Sequence, residues 1–524
     1  MPYKVAFVSL GCAKNLVNTE QMMALCRRAG YDVTGETEGA DVAVLNTCGF
    51  IESAKSEAIN SILELAELKK AGKLKKLLVA GCLTQRYREE IRTELPEVDG
   101  MLGTGSYTDV ASAVAELMEG ERPEHFGDIH RTYEDGERMV TTPPYTAFLK
   151  IAEGCSNGCA FCIIPKLRGR YRSRSMEALV EEARGLAASG VKELIVIAQD
   201  ITRYGLDRKD GSTLAKLLDR LCELDFHWIR LHYLYPEAVT DELIETIARQ
   251  PKILHYLDIP IQHCNDAILK AMRRRNTRAE IEALFAKLRK AMPDVVLRTS
   301  LICGLPGEGE AEFEELCHFL REQRIQRAGV FQFSPEEGTL AAAMENQVDP
   351  DVAARRVELV VDPGCDVESS RAALALAERY PHVYAAVGLH PEDCAGAGEA
   401  ELEEIRRLCG HEKAVAIGEI GLDYYWAENP PRPFQQEIFR RQLALAQELD
   451  MPVIVHDREA HGDSLAIVRE FPGVRGVFHC YSGSAEMAQE LVKLGWYLGF
   501  DGPITYKNAR RAAEAAAVTP LERM

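Results

Sequence analysis

Short apolar runs followed by longer amphipathic stretches recur through the whole chain, in three successive series. In the first 140 residues the runs "VAFVSLGC", "VAVLNTCG" and "KLLVAGC" each read as a strand that ends in a cysteine-bearing turn and leads into a helix. After the second run, Ile59, Ile62, Leu63 and Ala66 fall at i, i+3, i+4 and i+7, the stripe of a helix packing one face on a sheet. Strands separated by such helices run parallel, which brings their carboxyl ends to one edge. Cys12, Cys48 and Cys82, spaced by 36 and 34 residues, are therefore expected to meet at that rim. A fourth run, "VDGMLGTG", extends the same open sheet, and the crevice beyond its strand ends is the usual place for a ligand.

A polar segment, "HRTYEDGERMVTTPP", reads as a linker into the second series. There "AFLKIAEG", "ELIVIAQD", "WIRLHYLYP", "YLDIPIQH", "VVLRTSLICG" and "GVFQFSP" predict six strand and helix units over 141–350, an incomplete (β/α)6 barrel with its chemistry at the strand ends. The third series begins near Val357 with "VELVVDPG", "VYAAVGLHP", "AVAIGEIGLD", "PVIVHD", "GVFHCYSG" and "WYLGFDGP". Its strand ends carry His390, Glu419, Asp423, His456 and His479, the mixture a divalent-metal hydrolase requires. The expectation is an α/β protein of three domains, 1–140, 141–350 and 355–524.

Composition narrows the setting. With 524 residues, 46% hydrophobic and 27% charged, the chain exceeds a single ordinary core and reads as folded globular protein. No apolar run approaches the roughly 18 to 20 residues of a membrane span, and Met1 to Asn15 lacks the features of a signal peptide, so a cytoplasmic location is expected. Fifteen cysteines, an odd number kept reduced in that compartment, point to metal binding or catalysis rather than disulfides. A net charge of -19 argues against general nucleic-acid binding. The runs Arg168, Arg170, Arg172, Arg174 and Arg273 to Arg275 read either as a solvated face paired with acids or as a ligand site.

Within "EGCSNGCAFCIIP", Cys155, Cys159 and Cys162 lie in a short loop whose Gly154 and Gly158 let the thiolates turn toward one centre. Structural zinc takes four protein ligands, and the next cysteine, Cys222, is 60 residues on. Three thiolates on a 4Fe-4S cube leave one iron open to a small molecule, and the triplet favours that reading over zinc. "CSNGCAFC" resembles the signature of the radical S-adenosylmethionine superfamily. That resemblance implies that the open iron chelates S-adenosylmethionine and that an electron from the cluster releases a deoxyadenosyl radical. "ICGLPGE", with Gly304, Pro306, Gly307 and Glu308, looks like the glycine-bearing loop that lets the backbone approach this cofactor, although alone it reads as a tight turn.

Cys12 in "SLGCAKNLVNTE", Cys48 in "NTCGFIESA" and Cys82 in "AGCLTQRY" resemble the methylthiotransferases, whose N-terminal domain holds a second 4Fe-4S cluster on three cysteines. The same stretches, with "AQDITRYG", are similar to the branch that adds a methylthio group to an aspartate β-carbon of small-subunit ribosomal protein twelve. Ile201 departs from that branch's usual threonine, and the branch that modifies tRNA adenosine differs at these stretches. The resemblance implies a ribosomal protein substrate and an electron donor as partners. In the likeness, one cluster makes the radical and the other holds the sulfur to be inserted. A non-catalytic iron-sulfur scaffold is the competing reading. Cys26, Cys222, Cys264, Cys303 and Cys317 are expected to be inert buried thiols. Gln262 and His263 end a strand at the presumed cavity, facing substrate or serving structure.

Beyond about residue 355, "DPGCDVESSRAALALAERYPHVYAAVGLHP", "AIGEIGLDYYW", "PVIVHDREA" and "FHCYSGS" resemble the TatD-type metal-dependent deoxyribonucleases. That likeness implies Glu419, His456 and His479 as ligands of a divalent metal. The family's opening His-x-His pair occurs nowhere in this chain, and its closing acidic residue is not reached before "TPLERM". An incomplete (β/α)8 barrel lacking its first and last strands is expected, with open edges and little nuclease activity. The junction reads most simply as the joining of two unrelated reading frames.

Overall fold

Wholly parallel sheets carry the apolar runs. In the computed structural model, residues 2–131, 137–361, 366–379, 384–426, 428–500, 510–520 and 523 are described. They divide into two units, Met1–Val360 and Val361–Met524.

The first sheet orders its strands Asp32–Thr34, Lys4–Ser9, Ala40–Thr47, Leu74–Gly81, Gly100–Leu102 and Glu124–His125, every pairing parallel. Its central strand Ala40–Thr47 is almost continuously buried because helices cover both faces. Alternate residues take opposite sides: Val42 and Val44 pack with Met22 and Val114, whereas Ala43 and Leu45 pack with Ala58 and Ile62. The helix Glu52–Lys70 buries Ala58, Ile62, Leu65 and Ala66. Leu63, placed in the expected stripe, faces solvent instead.

The second sheet runs in chain order, Thr146–Lys150, Glu193–Ile197, Trp228–Leu231, Ile253–Asp258, Val296–Cys303 and Arg327–Gln332, again all parallel. The described part of the segment read as a linker is strapped down. Arg138 is buried between Glu20 at 2.8 Å and Glu182 at 2.9 Å, and the Thr141 amide donates to Glu20 Oε1. Residues 132–136 of that segment lie outside the described residues.

Among the described residues, the second unit holds five parallel strands, Ala385–Val387, Ala414–Asp423, Val453–Arg458, Gly476–Phe478 and Tyr497–Leu498, around one core. The strand expected at "VELVVDPG" is absent up to Val361; the chain there forms the helix Pro350–Val361, and 362–364 lie outside the described residues. Asp349 Oδ1 accepts the Asp351 and Val352 amides, and Pro350 supplies a ready-made first turn. Ala353 and Val357, four residues apart on one helical face, pack into the first unit, which decides helix over strand. Residues 355–360 thus fold with the first unit.

Candidate functional site

Parallel strands deliver the first three cysteines to one rim. Cys12 precedes the helix Ala13–Arg28, Cys82 opens the helix Cys82–Arg86, and Cys48 follows the strand Ala40–Thr47. Gly11 sits at φ +81°, and a Cβ on it would stand 2.6 Å from Cys48 Cβ, so only glycine lets these two turns approach. Asn15 ties the turns together, donating from Nδ2 to Leu10 O at 3.1 Å and Thr47 O at 2.9 Å. Burial pushes the Cys12 thiol up, but Lys14, Arg168 and the amides at the helix start outweigh it and leave its pKa lowered. Cys48 is pushed up to about 11 by burial and by neighbouring Cys82; Cys82 is raised by burial against the opposing pull of Arg168.

Cys155, Cys159 and Cys162 occupy a loop held by three backbone bonds: Cys155 N to Gly169 O, Ala160 N to Met272 O, and Cys162 N to Cys159 O. Burial lifts Cys155 to about 11 and Cys162 to about 12. Arg274 Nη1 lies 3.7 Å from Cys159 Sγ, its guanidinium 4.5 Å from the Tyr235 ring centre, and its Nη2 donates to Pro260 O.

One short segment joins the two triplets. Ile163 and Leu167 pack directly against Cys82, and the helix Ile164–Arg168 ends with Arg168 aimed into the first triplet. Cys162 precedes that helix by two residues, so it and Arg168 stand six positions apart. Arg168, 2% exposed, donates to Glu153 Oε1 at 2.9 Å and to Asn15 Oδ1. The arginine runs are thus largely buried: Arg168, Arg172, Arg174 and Arg274 are inside, while Arg170, Arg273 and Arg275 face solvent.

Among the described residues no cysteine forms a disulfide, so all six of these thiols are free to ligate. Three thiolates apiece are the donor set of a 4Fe-4S cube that keeps one iron open.

The "ICGLPGE" loop is closed by its own glutamate. Glu308 Oε1 accepts from Gly304 N at 2.9 Å and Arg356 at 2.8 Å, with His263 Nε2 3.5 Å from Oε2. A Cβ on Gly304, at φ +81°, would meet Ala353 Cβ at 2.3 Å, and one on Gly307 would meet Asn346 Nδ2 at 2.6 Å. Pro306 is buried beside them. His263 is buried, its Nδ1 accepting from Asn265 N at 3.0 Å, and Gln262 takes a positive φ of 72° at the same strand end. Cys26, Cys264 and Cys303 are buried and Cys222 and Cys317 half-buried; burial raises Cys26 to about 12, Cys222 to about 11 and Cys303 to about 12.

In the second unit His390, Glu419 and His456 bring three ligand atoms within 4.8 Å of one another. His456 Nε2 is 2.9 Å from Asp423 Oδ2, and its Nδ1 is 3.5 Å from Glu419 Oε1, an oxygen with no hydrogen-bond partner among the described residues. Burial together with the neighbouring His456 lowers His390 to about 4, so it is neutral and able to ligate at pH 7. His479 is near enough to depress the Glu419 carboxyl and lies 3.2 Å from Cys480 Sγ. Sequence reasoning had placed His390 at a strand mouth without counting it as a ligand. Of the two readings of the arginine runs, Arg168 and Arg274 take the one beside a site, whereas nothing local in the sequence singles out Lys14.

Comparison with known proteins gives three family matches: "Uncharacterized protein family UPF0004" over residues 4–103, "Radical SAM superfamily" over 149–320 and "TatD related DNase" over 335–524. The ribosomal protein uS12 methylthiotransferase RimO of Lachnoclostridium phytofermentans is 52% identical over 360 residues, 68% of this chain and 82% of that protein. The protein of the same name from Clostridioides difficile is 49% identical over 67% of this chain and 80% of its own length. A TatD homologue of Escherichia coli K12, YjjV, is 36% identical over 31% of this chain and 63% of that one, with a TM-score of 0.29.

Proposed function

Because the chain belongs, through its first two thirds, to the RimO family of ribosomal protein uS12 methylthiotransferases, we propose that it adds a methylthio group to an aspartate β-carbon of uS12. The observation that carries this reading is the union of two cysteine triplets in one unit, bridged by residues 162–168. Cys12, Cys48 and Cys82 would hold one 4Fe-4S cluster and Cys155, Cys159 and Cys162 another, with S-adenosylmethionine at the second. When bound, the clusters supply the electron that splits the cofactor and a seat for the sulfur to be inserted. The chain's own residues set the stage: Arg168 and Lys14 offset negative charge at the first triplet, Arg274 at the second, and Glu308 fixes the Gly304 to Gly307 loop beside the cofactor. We read the first unit as two domains, 1–140 and 141–350, and the second sheet as an incomplete (β/α)6 barrel. A ribosomal substrate places the enzyme in the cytoplasm with an electron donor as partner. No helix among the described residues is long and apolar enough to cross a membrane.

The test is anaerobic reconstitution of the full chain. Replacing Cys12, Cys48 and Cys82 together by Ala should leave 5'-deoxyadenosine formation and abolish methylthiolation of uS12; replacing Cys155, Cys159 and Cys162 should stop both. Methylthiolation by the first variant, or cleavage by the second, would refute the division of roles. For the second unit, the His390, Glu419 and His456 cluster favours a divalent-metal site, with His479 adjacent. We read that unit as an incomplete TatD-like barrel that binds metal without being an efficient nuclease.

A further inference from the structure

Of the buried and half-buried cations around this part of the first unit, most are engaged by protein. Arg168 is held by Glu153 and Asn15, Arg274 by the Cys159 sulfur, Pro260 O and the Tyr235 ring, and Arg298 by Asp258 at 2.5 Å and Ser300 at 3.1 Å. Lys14 is only 7% exposed. Its ammonium lies 3.6 Å from the centre of the Tyr233 ring, and among the described residues it has no carboxylate partner and no hydrogen bond. The Cys12 sulfur shares its field, but a buried ammonium that makes no hydrogen bond keeps its three donors open, and an incoming acceptor completes it.

Its position says which anion. Tyr233 begins a short stretch, after the strand Trp228–Leu231, that reaches Tyr235 two residues later, and Tyr235 lies beneath Arg274 at the second triplet. Tyr233 adopts φ 68° and its amide points to Asp258 Oδ2, which aims the ring at Lys14. Lys14 itself is two residues from Cys12 of the first triplet. The ammonium is thus tied to both cysteine sites, two positions from Cys12 and against a tyrosine two positions from the one beneath Arg274. On the function proposed above, a β-carbon must be reached from both sites, and its carboxylate is attached to that carbon. We infer that Lys14 binds the side-chain carboxylate of the substrate aspartate, orienting the β-carbon between the two triplets. This rests on the uS12 reading and adds the residue that would select an acidic side chain.

The experiment uses reconstituted full-length protein, wild type, Lys14→Gln and Lys14→Arg. Its probes are uS12 and uS12 whose target aspartate is changed to asparagine. Lys14→Gln should weaken binding of uS12 about tenfold or more, as loss of a hydrogen bond to a charged group does, and Lys14→Arg should restore most of it. The asparagine form should bind wild type and Lys14→Gln alike. Iron content is measured to confirm that each variant is loaded; the midpoint potential of the N-terminal cluster, whose charge Lys14 offsets, should fall in Lys14→Gln and not in Lys14→Arg. Unchanged affinity of Lys14→Gln for uS12, or a shifted potential with unchanged affinity, would overturn the inference. Failure of wild type to bind or modify uS12 would instead overturn the functional reading, and this assignment with it.

Discussion

At the scale of single residues, Arg168 shows how a side chain that reads as surface can become the hinge of a site. Four arginines at alternate positions look like a solvated face, and nothing local says otherwise. Burial follows from Asn15 and Glu153, one of them 153 positions away, and from the packing of Ile163 and Leu167 on Cys82. The cysteines were legible because their spacing is local and their chemistry restrictive; their counter-charges were not, because those are set by tertiary contact. Burial pushes the Glu153 carboxyl up, but Arg168 and Lys150 outweigh it and hold it far below its ordinary value near 4.5. A depressed carboxylate contributes stability that is complete above the unfolded value and is lost as pH falls below it. Arg168→Met should thus destabilise the apoprotein by about 1–3 kcal/mol at pH 7, less than for a fully orphaned charge because Lys150 still pairs with Glu153 at 3.1 Å. The loss should shrink as pH drops below about 4.5. Adding Glu153→Gln should recover part of it; urea melts of the two variants and their combination measure the coupling.

Among elements, the strands were the easiest to read, since buried parallel strands are continuous apolar runs that admit few other readings. The helix Pro350–Val361 was not, because "VELVV" satisfies a strand pattern, and only Ala353 and Val357 packing into the first unit reveals the helical face. The same helix changes the meaning of the loop before it. Gly304 was expected to admit a cofactor; its missing side chain makes room for Ala353, while Arg356 from the next turn locks Glu308. Gly304→Ala should therefore cost about 1–3 kcal/mol from the positive φ alone, and more from the contact. Ala353→Gly added to it should relieve the contact but not the backbone strain. Thermal melts and hydrogen exchange of 300–310 distinguish the two contributions, and full rescue by Ala353→Gly would show that φ is not the limiting factor.

For the whole molecule, the three series of strand and helix units resolve into two units, and the second has one core, drawn entirely from residues 367–515. A unit with a core of its own is expected to melt as its own cooperative transition, so calorimetry of the full chain should show at least two. The chemistry of the second unit makes them separable. His390, Glu419 and His456 can hold a divalent ion that the unfolded chain holds poorly, and Glu419 Oε1 lacks a hydrogen-bond partner among the described residues. This part of the site was half legible: His390, Glu419 and His456 all follow from strand-end position, whereas the grouping of these three is made by the fold, which brings the His390 ring centre to 4.4 Å from that of His456. A metal at 100 times its dissociation constant stabilises by about 2.7 kcal/mol, worth roughly 5–11 °C for a unit of this size. Mn2+ or Zn2+ should raise one transition by that amount and leave the rest, and Glu419→Ala should remove the shift. What stays unmoved should belong to Met1–Val360, which is checked by its coincidence with the loss of near-UV signal in the chain cut to those residues. A single transition, or a metal shift that survives Glu419→Ala, would mean that the two units do not melt independently or that the ion binds elsewhere.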